Sequence, residues 1–260
     1  MRETEPEQER TEKAGVDYGT VRKVSYYSTT CKRERNFNIL LPAGYSENKK
    51  YPVLYAMHGY WQNEDTLVSE EDETMKTRQI IGNAIASGEA EDMIVVFPYI
   101  YASETQPACS GMDDFNNSAY DNFINELTND LMPYVESHYS VKTGRENTAL
   151  TGFSMGGRES LYISMKKPEL FGYVGAVCPA PGVSPGLISE ADFRFKENAP
   201  YLLLLTAGSN DTVVYTTPSG YHEILEKNQV PHIWHYVNGG YHGGNCIRAH
   251  LYNFSRFIFK

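Results

Sequence analysis

Hydrophobic positions form short runs along this chain, and after residue 50 these runs alternate with segments of helical spacing. Near-continuous apolar runs of five to seven residues are typical of strands buried on both faces of a parallel sheet. We predict an opening antiparallel pair of strands at 21–28 and 36–41, followed by central strands at 53–57, 93–97, 148–153, 173–178, 201–206 and 233–237.

Helical spacing separates these strands. The pattern predicts helices at 74–86, 120–135, 155–167, 219–228 and 244–259. We expect Pro133 to kink or end the second of them, because proline lacks the backbone N–H that a helix interior uses. Strands alternating with helices indicate an α/β fold, with a mostly parallel central sheet and helices on both faces.

Domain organisation follows from the distribution of polar residues. Residues 1–14 are almost wholly polar and charged, which predicts a disordered tail or linker. Residues 15–260 are expected to form a single domain, since α/β folds commonly fill that length as one unit. The irregular segments 99–118 and 179–200 follow predicted strands, where α/β sheets bind ligands.

Charge and composition narrow the classes of function. The formal net charge is −10, from 33 acidic and 23 basic residues, which disfavours a nucleic-acid partner. No apolar run is long enough for a membrane helix, and no signal-peptide segment is visible at the N-terminus. No phosphate-binding glycine loop or metal-ligand spacing occurs, so we expect no cofactor and no metal.

Four cysteines are widely spaced, at Cys31, Cys109, Cys178 and Cys246. Their spacing lacks a zinc or redox motif, and a domain of this size does not need disulfides for stability. We therefore expect free thiols. If a disulfide exists, Cys109 or Cys178 paired with Cys246 is the first to test.

The segment Gly152-Phe153-Ser154-Met155-Gly156 has the spacing of a nucleophile elbow, placed between a predicted strand and a predicted helix. In this turn the serine takes a strained backbone conformation. The glycines two residues before and after it are required because a side chain there would collide with the adjoining strand or helix. We identify Ser154 as a candidate nucleophile, the alternative being a structural turn.

A serine hydroxyl needs a base, and in α/β-hydrolases the chain order is serine, acid, histidine. Only His242 stands in a glycine-rich loop after the last predicted strand. The other six histidines precede Ser154 or lie in strand or helix patterns, at His58, His138, His222, His232, His235 and His250. His242 is therefore the candidate base, the alternative being an exposed loop histidine.

The acid should follow a strand between the serine and the histidine. Asp211 fits this position, directly after the predicted strand 201–206 and Gly208, although it could instead cap a turn. Asp192 and Glu190 are competitors without a preceding strand. For the oxyanion, the backbone amides of Met155 and Tyr60 are the candidate donors, the second because it follows His58-Gly59 after an early buried strand.

These motifs resemble the carbohydrate esterase family of feruloyl esterases and acetyl xylan esterases, related to esterase D and the mycolyltransferases. The resemblance covers about residues 21–259 and rests on Tyr51-Pro52-Val53-Leu54-Tyr55 leading to His58-Gly59, Gly152-Phe153-Ser154-Met155-Gly156-Gly157, Gly208-Ser209-Asn210-Asp211 and Gly239-Gly240-Tyr241-His242. It implies that residues 15–260 form a single catalytic domain of the α/β-hydrolase fold, with nucleophile, acid and base at Ser154, Asp211 and His242. The loop Tyr60-Trp61-Gln62-Asn63 departs from the small, glycine-rich loop of many relatives, and Gly243-Gly244 replaces bulkier residues.

The expected substrate follows from the resemblance and from aromatic residues in the presumed active-site loops. Aromatic walls suit a planar phenolic acyl group or a sugar ring, and six residues are candidates to bind it, namely Tyr60, Trp61, Tyr99, Tyr101, Tyr215 and Tyr241. We expect hydrolysis of feruloyl esters on xylan. The alternatives are an acetyl xylan esterase, a non-catalytic carbohydrate-binding relative and a small thioesterase.

The resemblance further implies an extracellular location, although a cytoplasmic one stays open. It also implies an ester-decorated xylan or oligosaccharide as partner, together with other modules of a larger polysaccharide-degrading enzyme.

Overall fold

A computed structural model of the chain describes residues 1–69 and 75–260. The strands are β1 (Thr20–Ser28), β2 (Arg33–Leu41), β3 (Val53–Met57), β4 (Ile94–Pro98), β5 (Thr148–Gly152), β6 (Tyr173–Val177), β7 (Leu202–Gly208) and β8 (Ile233–Val237). They form one sheet in the order β1-β2-β4-β3-β5-β6-β7-β8. β1 and β2 pair antiparallel, β2 pairs antiparallel with β4, and the pairs from β4 through β8 are parallel.

The helices are α1 (Thr77–Ala86), α2 (Asp114–Asp121), α3 (Phe123–Glu126), α4 (Met132–His138), α5 (Met155–Lys166), α6 (Thr217–Lys227) and α7 (Gly244–Phe257). Alternate residues of β3 enter different cores, with Tyr55 on the side of α2 to α6 and Leu54 on the side of α1 and α7. The sheet is thus covered on both faces, which confirms the predicted fold class. Thr74, where the first helix was predicted to begin, lies outside the described residues.

Pro133 does not end its helix, contrary to that part of the prediction. A π-helical turn at Leu127–Leu131 precedes it, and α4 begins at Met132 and continues to His138. Pro133 therefore stands at the start of a helical segment, where its missing N–H is tolerated. The predicted helix 120–135 is instead divided among α2, α3, the π turn and α4.

The expected disordered tail lies against α7. The backbone N–H of Arg2 donates to Asn253 at 2.8 Å, Glu5 pairs with Arg248 at 2.7 Å, and a short 3₁₀ turn spans Glu7–Arg10. Glu5 is buried. The charges that suggested a solvated tail instead pair with basic residues of the last helix, a long-range contact that local composition does not reveal.

Among the described residues, none of the helices combines the length and the apolar character that crossing a bilayer requires.

Candidate active site

Ser154 stands between the end of β5 and the start of α5. Its backbone has φ 54° and ψ −112°, a conformation that non-glycine residues rarely adopt. A Cβ on Gly152 would lie 2.4 Å from Gly156, and one on Gly156 would lie 2.5 Å from the carbonyl oxygen of Met57. The structure therefore shows the steric requirement that the spacing of this motif predicts.

Of the three residues proposed from the motifs, His242 lies within hydrogen-bond distance of both others. His242 Nε2 is 3.0 Å from Ser154 Oγ, and His242 Nδ1 is 2.7 Å from Asp211 Oδ2. The Phe153 ring packs against the imidazole with a centroid distance of 4.6 Å, which limits its rotation. In the neutral tautomer with its proton on Nδ1, His242 donates to Asp211 and accepts the hydroxyl proton of Ser154.

Asp211 is buried and fully hydrogen-bonded. Its Oδ1 accepts the backbone N–H groups of Val213 at 2.9 Å and Val214 at 3.1 Å, and its Oδ2 faces His242. Burial alone would raise the pKa of Asp211, but the hydrogen bonds from His242 and from the two amides outweigh it, so the pKa lies below its usual value. This carboxyl group stays ionised and is held in one orientation.

The competing acids lie elsewhere. Asp192 is exposed, bonds to Ser189 within its own turn and lies near Lys196, and Glu190 pairs with Lys227. Neither is in contact with His242. The structure therefore places Asp211 as the acid beside the imidazole.

His58 supports the loop after β3 through hydrogen bonds of both ring nitrogens. Its Nε2 accepts the backbone N–H of Ile100 at 3.1 Å, and its Nδ1 contacts the carbonyl of Gly59 at 2.7 Å. An amide donor on Nε2 places the proton on Nδ1. Burial lowers the pKa of His58 to about 4, so this ring is neutral and acts as a structural support.

Two more side chains fix the same loop. Gln62 Oε1 accepts the N–H of Gly59 at 2.7 Å, and the hydroxyl of Tyr120 accepts the N–H of Trp61 at 3.2 Å. Between them, the amide of Tyr60 makes no hydrogen bond to any residue in 1–69 or 75–260, and the same holds for the amide of Met155. The two predicted oxyanion donors are thus available.

A cavity of about 380 Å³ contains Ser154 and His242 in its wall. Its other lining residues come mainly from the loops after β3, β7 and β8, and are Gly59, Tyr60, Trp61, Gln62, Met75, Met112, Phe153, Val213, Tyr241, Gly243 and Gly244. Three of the six aromatic residues predicted to bind substrate therefore line this cavity, and they are Tyr60, Trp61 and Tyr241.

The other three predicted aromatic residues lie outside this cavity. Tyr101 is fully buried and its hydroxyl donates to Asn116 at 2.8 Å, while Tyr99 is half-buried and stacks on His58 beside the core. Tyr215 is 70% exposed. The segments that carry these residues lack periodicity, so the sequence did not indicate which way each ring points.

Sequence reasoning missed several residues of this site. Gln62 supports the loop backbone, and Phe153, Met112 and Val213 line the cavity. Gln62 and Phe153 are neighbours of recognised motif residues, which is a weak signal that could have found them. Met112 lies in an irregular loop with no such signal.

Two groups of side chains among the described residues could offer three metal ligands, and one of them is Cys178, Asp211 and His242. Asp211 and His242 are already bonded to each other. Hydrogen bonding to Cys246 together with burial raises the pKa of the Cys178 thiol, and a protonated thiol is a poor ligand. All four cysteines are free thiols. The other group consists of His222 and Glu226 on α6 and His232 just before β8.

Comparison with known proteins finds a matching family and a similar solved structure. The family model Esterase, described as "Putative esterase", matches residues 28–237. The structure of a CE1 ferulic acid esterase from Anaeromyces mucronatus, in complex with ferulic acid, is 46% identical, has a TM-score of 0.95, and the alignment covers 100% of this chain and 97% of that one.

Two curated relatives are longer proteins. An endo-1,4-beta-xylanase/feruloyl esterase of Xylanibacter ruminicola is 29% identical over 62% of this chain, and endo-1,4-beta-xylanase Y of Acetivibrio thermocellus is 31% identical over 63%. The matched regions span only 22% and 14% of the length of those proteins. The match to most of the chain and the likeness to a solved relative confirm the resemblance noted in the sequence, and the chain therefore belongs to the Esterase family, in the carbohydrate esterase group that includes the CE1 ferulic acid esterases.

Proposed function

We propose that this chain is a serine carboxylesterase that hydrolyses feruloyl and related hydroxycinnamoyl esters on xylan. The observation that carries the proposal is the hydrogen-bonded chain from Ser154 through His242 to Asp211, set in the wall of an aromatic cavity. The 46% identity to a ferulic acid esterase supports the choice of acyl group.

In the acylation step Ser154 is the nucleophile. As its Oγ attacks the ester carbonyl carbon, the hydroxyl proton passes to His242 Nε2, 3.0 Å away. The ionised Asp211 stabilises the imidazolium that forms and holds the ring in the reactive tautomer. The tetrahedral intermediate collapses when the bond to the alcohol oxygen breaks, and His242 returns the proton to that oxygen.

Deacylation repeats this sequence with water. His242 takes a proton from a water molecule, whose oxygen attacks the acyl carbon bound to Ser154. Collapse breaks the bond to Oγ, the serine recovers its proton, and the hydroxycinnamic acid leaves. No cofactor is required for either half of the reaction.

The backbone amides of Tyr60 and Met155 are the proposed oxyanion donors. Neither is engaged by another described residue, so both are free to bind the negative oxygen of the intermediate. Donors fixed before the reaction need no reorganisation as charge develops, and one such donor contributes about 3 kcal/mol in serine hydrolases.

The aromatic lining and the volume of the cavity suit a bulky, planar acyl group. The side chains of Trp61 and Tyr241 are each about half exposed, at 55% and 48%. The ring of Tyr60 contacts that of Trp61, and its hydroxyl donates to the carbonyl of Gly111 at 2.9 Å. Aromatic rings of this kind stack on a phenolic ring. The volume of about 380 Å³ is in the range of small-molecule sites and exceeds what an acetyl group would fill.

Side-by-side assays on methyl ferulate and acetylated xylan test the choice of substrate. We expect kcat/KM for methyl ferulate to exceed the value for acetyl release by at least about 100-fold, because only the larger group contacts the aromatic walls. The reverse order would show an acetyl xylan esterase. A thioester substrate in the same series tests the small thioesterase alternative.

Ser154→Ala tests the nucleophile. The variant should fold like the wild type and lose ester hydrolysis by about a million-fold in kcat, as expected when the attacking hydroxyl is removed. Turnover near the wild-type rate would refute the assignment. Failure of the wild type to hydrolyse any ester would favour the non-catalytic carbohydrate-binding relative.

The setting of the reaction is part of the proposal. The two curated relatives carry xylanase names and are several times longer than the matched region. This supports an extracellular enzyme that acts on xylan beside other modules of a polysaccharide-degrading protein.

A further inference from the structure

A second cluster of metal-ligating side chains lies away from the active site, where α6 packs beside β8. It consists of His222 and Glu226 on α6 and His232 in the turn before β8, and we call it the α6 cluster. The potential ligand atoms of the three residues all lie within 4.8 Å of one another. None of these residues lines the cavity that contains Ser154.

We propose that the α6 cluster is a binding site for a divalent transition-metal ion such as Zn²⁺. Two imidazole nitrogens and a carboxylate oxygen form a common ligand set for zinc, with water in the fourth position. His222 and Glu226 are four residues apart on one helix and therefore face the same side. The site goes beyond the esterase function and does not depend on it.

The distances require only a small adjustment. His222 Nδ1 and His232 Nε2 are 2.8 Å apart, and His232 Nε2 is 4.0 Å from a carboxylate oxygen of Glu226. Two nitrogens bound to one tetrahedral zinc ion lie about 3.3 Å apart, from bond lengths of about 2.0–2.1 Å. The two rings would separate by about half an ångström, and the Glu226 carboxylate would move inward.

Hydrogen bonding prepares His232 as a ligand. Its Nδ1 lies 2.7 Å from the carbonyl of Val230, which accepts a hydrogen bond but cannot donate one. In the neutral ring the proton therefore sits on Nδ1, and Nε2 carries a lone pair that accepts the Nδ1–H of His222. When His222 takes its other neutral tautomer, with the proton on Nε2, both facing nitrogens have the lone pair that a metal needs. A second hydrogen bond of this kind orients most metal-bound histidines in proteins.

The second histidine is held by stacking. The His222 ring lies parallel to the indole of Trp234 on β8, with a centroid distance of 4.7 Å and an interplanar angle of 5°. The His232 side chain is 1% exposed, whereas that of Glu226 is 67% exposed. Two ligands are thus fixed in the protein, and the third can swing in from the solvent side to close on an ion.

Isothermal titration of metal-free protein with ZnCl₂ tests the site. We expect one equivalent of Zn²⁺ to bind, and His222→Ala and His232→Ala each to weaken binding at least about 100-fold, since loss of a supporting residue alone costs about 10- to 100-fold. Glu226→Gln should cause a smaller loss. The matched control is His138→Ala, because His138 is also a surface histidine stacked on an aromatic ring, Tyr134, and it should bind Zn²⁺ like the wild type.

Two readouts separate this site from the active site. An ion that joins α6 to β8 binds only the folded chain, so Zn²⁺ should raise the melting temperature of the wild type and of His138→Ala but not of His232→Ala. Cu²⁺ should quench the emission of Trp234, measured in a Trp61→Phe background because the chain has two tryptophans. Wild-type protein that binds no Zn²⁺ at 1 mM, or a His232→Ala variant that binds as tightly as wild type, would overturn the proposal.

Discussion

Replacing Asp211 with asparagine tests how the acid controls the base. The substitution keeps the size of the side chain and turns one carboxylate oxygen into an NH₂ group. In the wild type Oδ1 accepts the amides of Val213 and Val214, and Oδ2 accepts His242 Nδ1–H at 2.7 Å. All three partners of the carboxylate are donors, so an amide group satisfies only one side.

The two backbone donors determine which way the asparagine faces. If its NH₂ pointed at Val213 and Val214, the buried amide of Val214 would lose its acceptor, at a cost of about 1–3 kcal/mol, and the partly buried amide of Val213 would lose its acceptor as well. The carbonyl oxygen therefore keeps the position of Oδ1, and the NH₂ faces His242. The imidazole must then accept at Nδ1 and carry its proton on Nε2, so it no longer accepts the proton of Ser154. A wrong tautomer of this kind lowers kcat by about 10⁴-fold, or about 5 kcal/mol.

The assay is the steady-state hydrolysis of methyl ferulate by wild type and Asp211→Asn at pH 7. KM should change little, because the substituted side chain is buried behind His242 and does not line the cavity. Asp192→Asn is the matched control, since it makes the same change at an exposed acid and should retain wild-type kcat. If Asp211→Asn keeps kcat within tenfold of the wild type, the tautomer argument is refuted.

Three further results are expected. Gly156→Ala would place a carbon 2.5 Å from the Met57 carbonyl oxygen, so urea unfolding should show a loss of about 3 kcal/mol, and an unchanged midpoint would contradict the clash. The pKa of His58 is about 4 in the folded chain, compared with an ordinary value of 6.5. As the pH falls from 6.5 towards 4, the unfolded chain therefore binds a proton at His58 before the folded chain does, and the free energy of unfolding decreases. Between pH 7 and 5 this one group should remove about 2 kcal/mol, measured by urea unfolding, and His58→Gln should show that much less pH dependence. A histidine can act as a general base only in its neutral form, so kcat/KM should fall as the pH is lowered, and a flat pH profile of kcat/KM would count against a histidine base.

The approach of Ser154, Asp211 and His242 could be predicted from the sequence, because the fold fixes it. Each residue follows a strand of the same sheet, and the C-terminal ends of parallel strands meet at one edge. The glycines around Ser154 indicated the backbone conformation of this turn, because a residue with a side chain would not fit at their positions.

Other features depend on contacts between distant parts of the chain and left no local pattern. The burial of Glu5 follows from its pairing with Arg248, which is far away in sequence. The direction of Tyr101 is set by packing in an irregular loop, and Pro133 lies at the start of α4, directly after a π turn. In each case a neighbouring element decided the outcome.

In the loop after β3, the side chains that hold the backbone in place are largely different from the side chains that line the cavity. His58, Gln62 and Tyr120 hold its backbone, while the rings of Tyr60 and Trp61 make no such backbone contact and line the cavity, as the Gln62 side chain also does. Under the proposed function, we therefore expect mutation of those two rings to change the preference for the acyl group while the backbone amides keep their positions. Substitutions at these two positions are therefore a way to evolve or engineer substrate specificity without changing Ser154, Asp211 or His242.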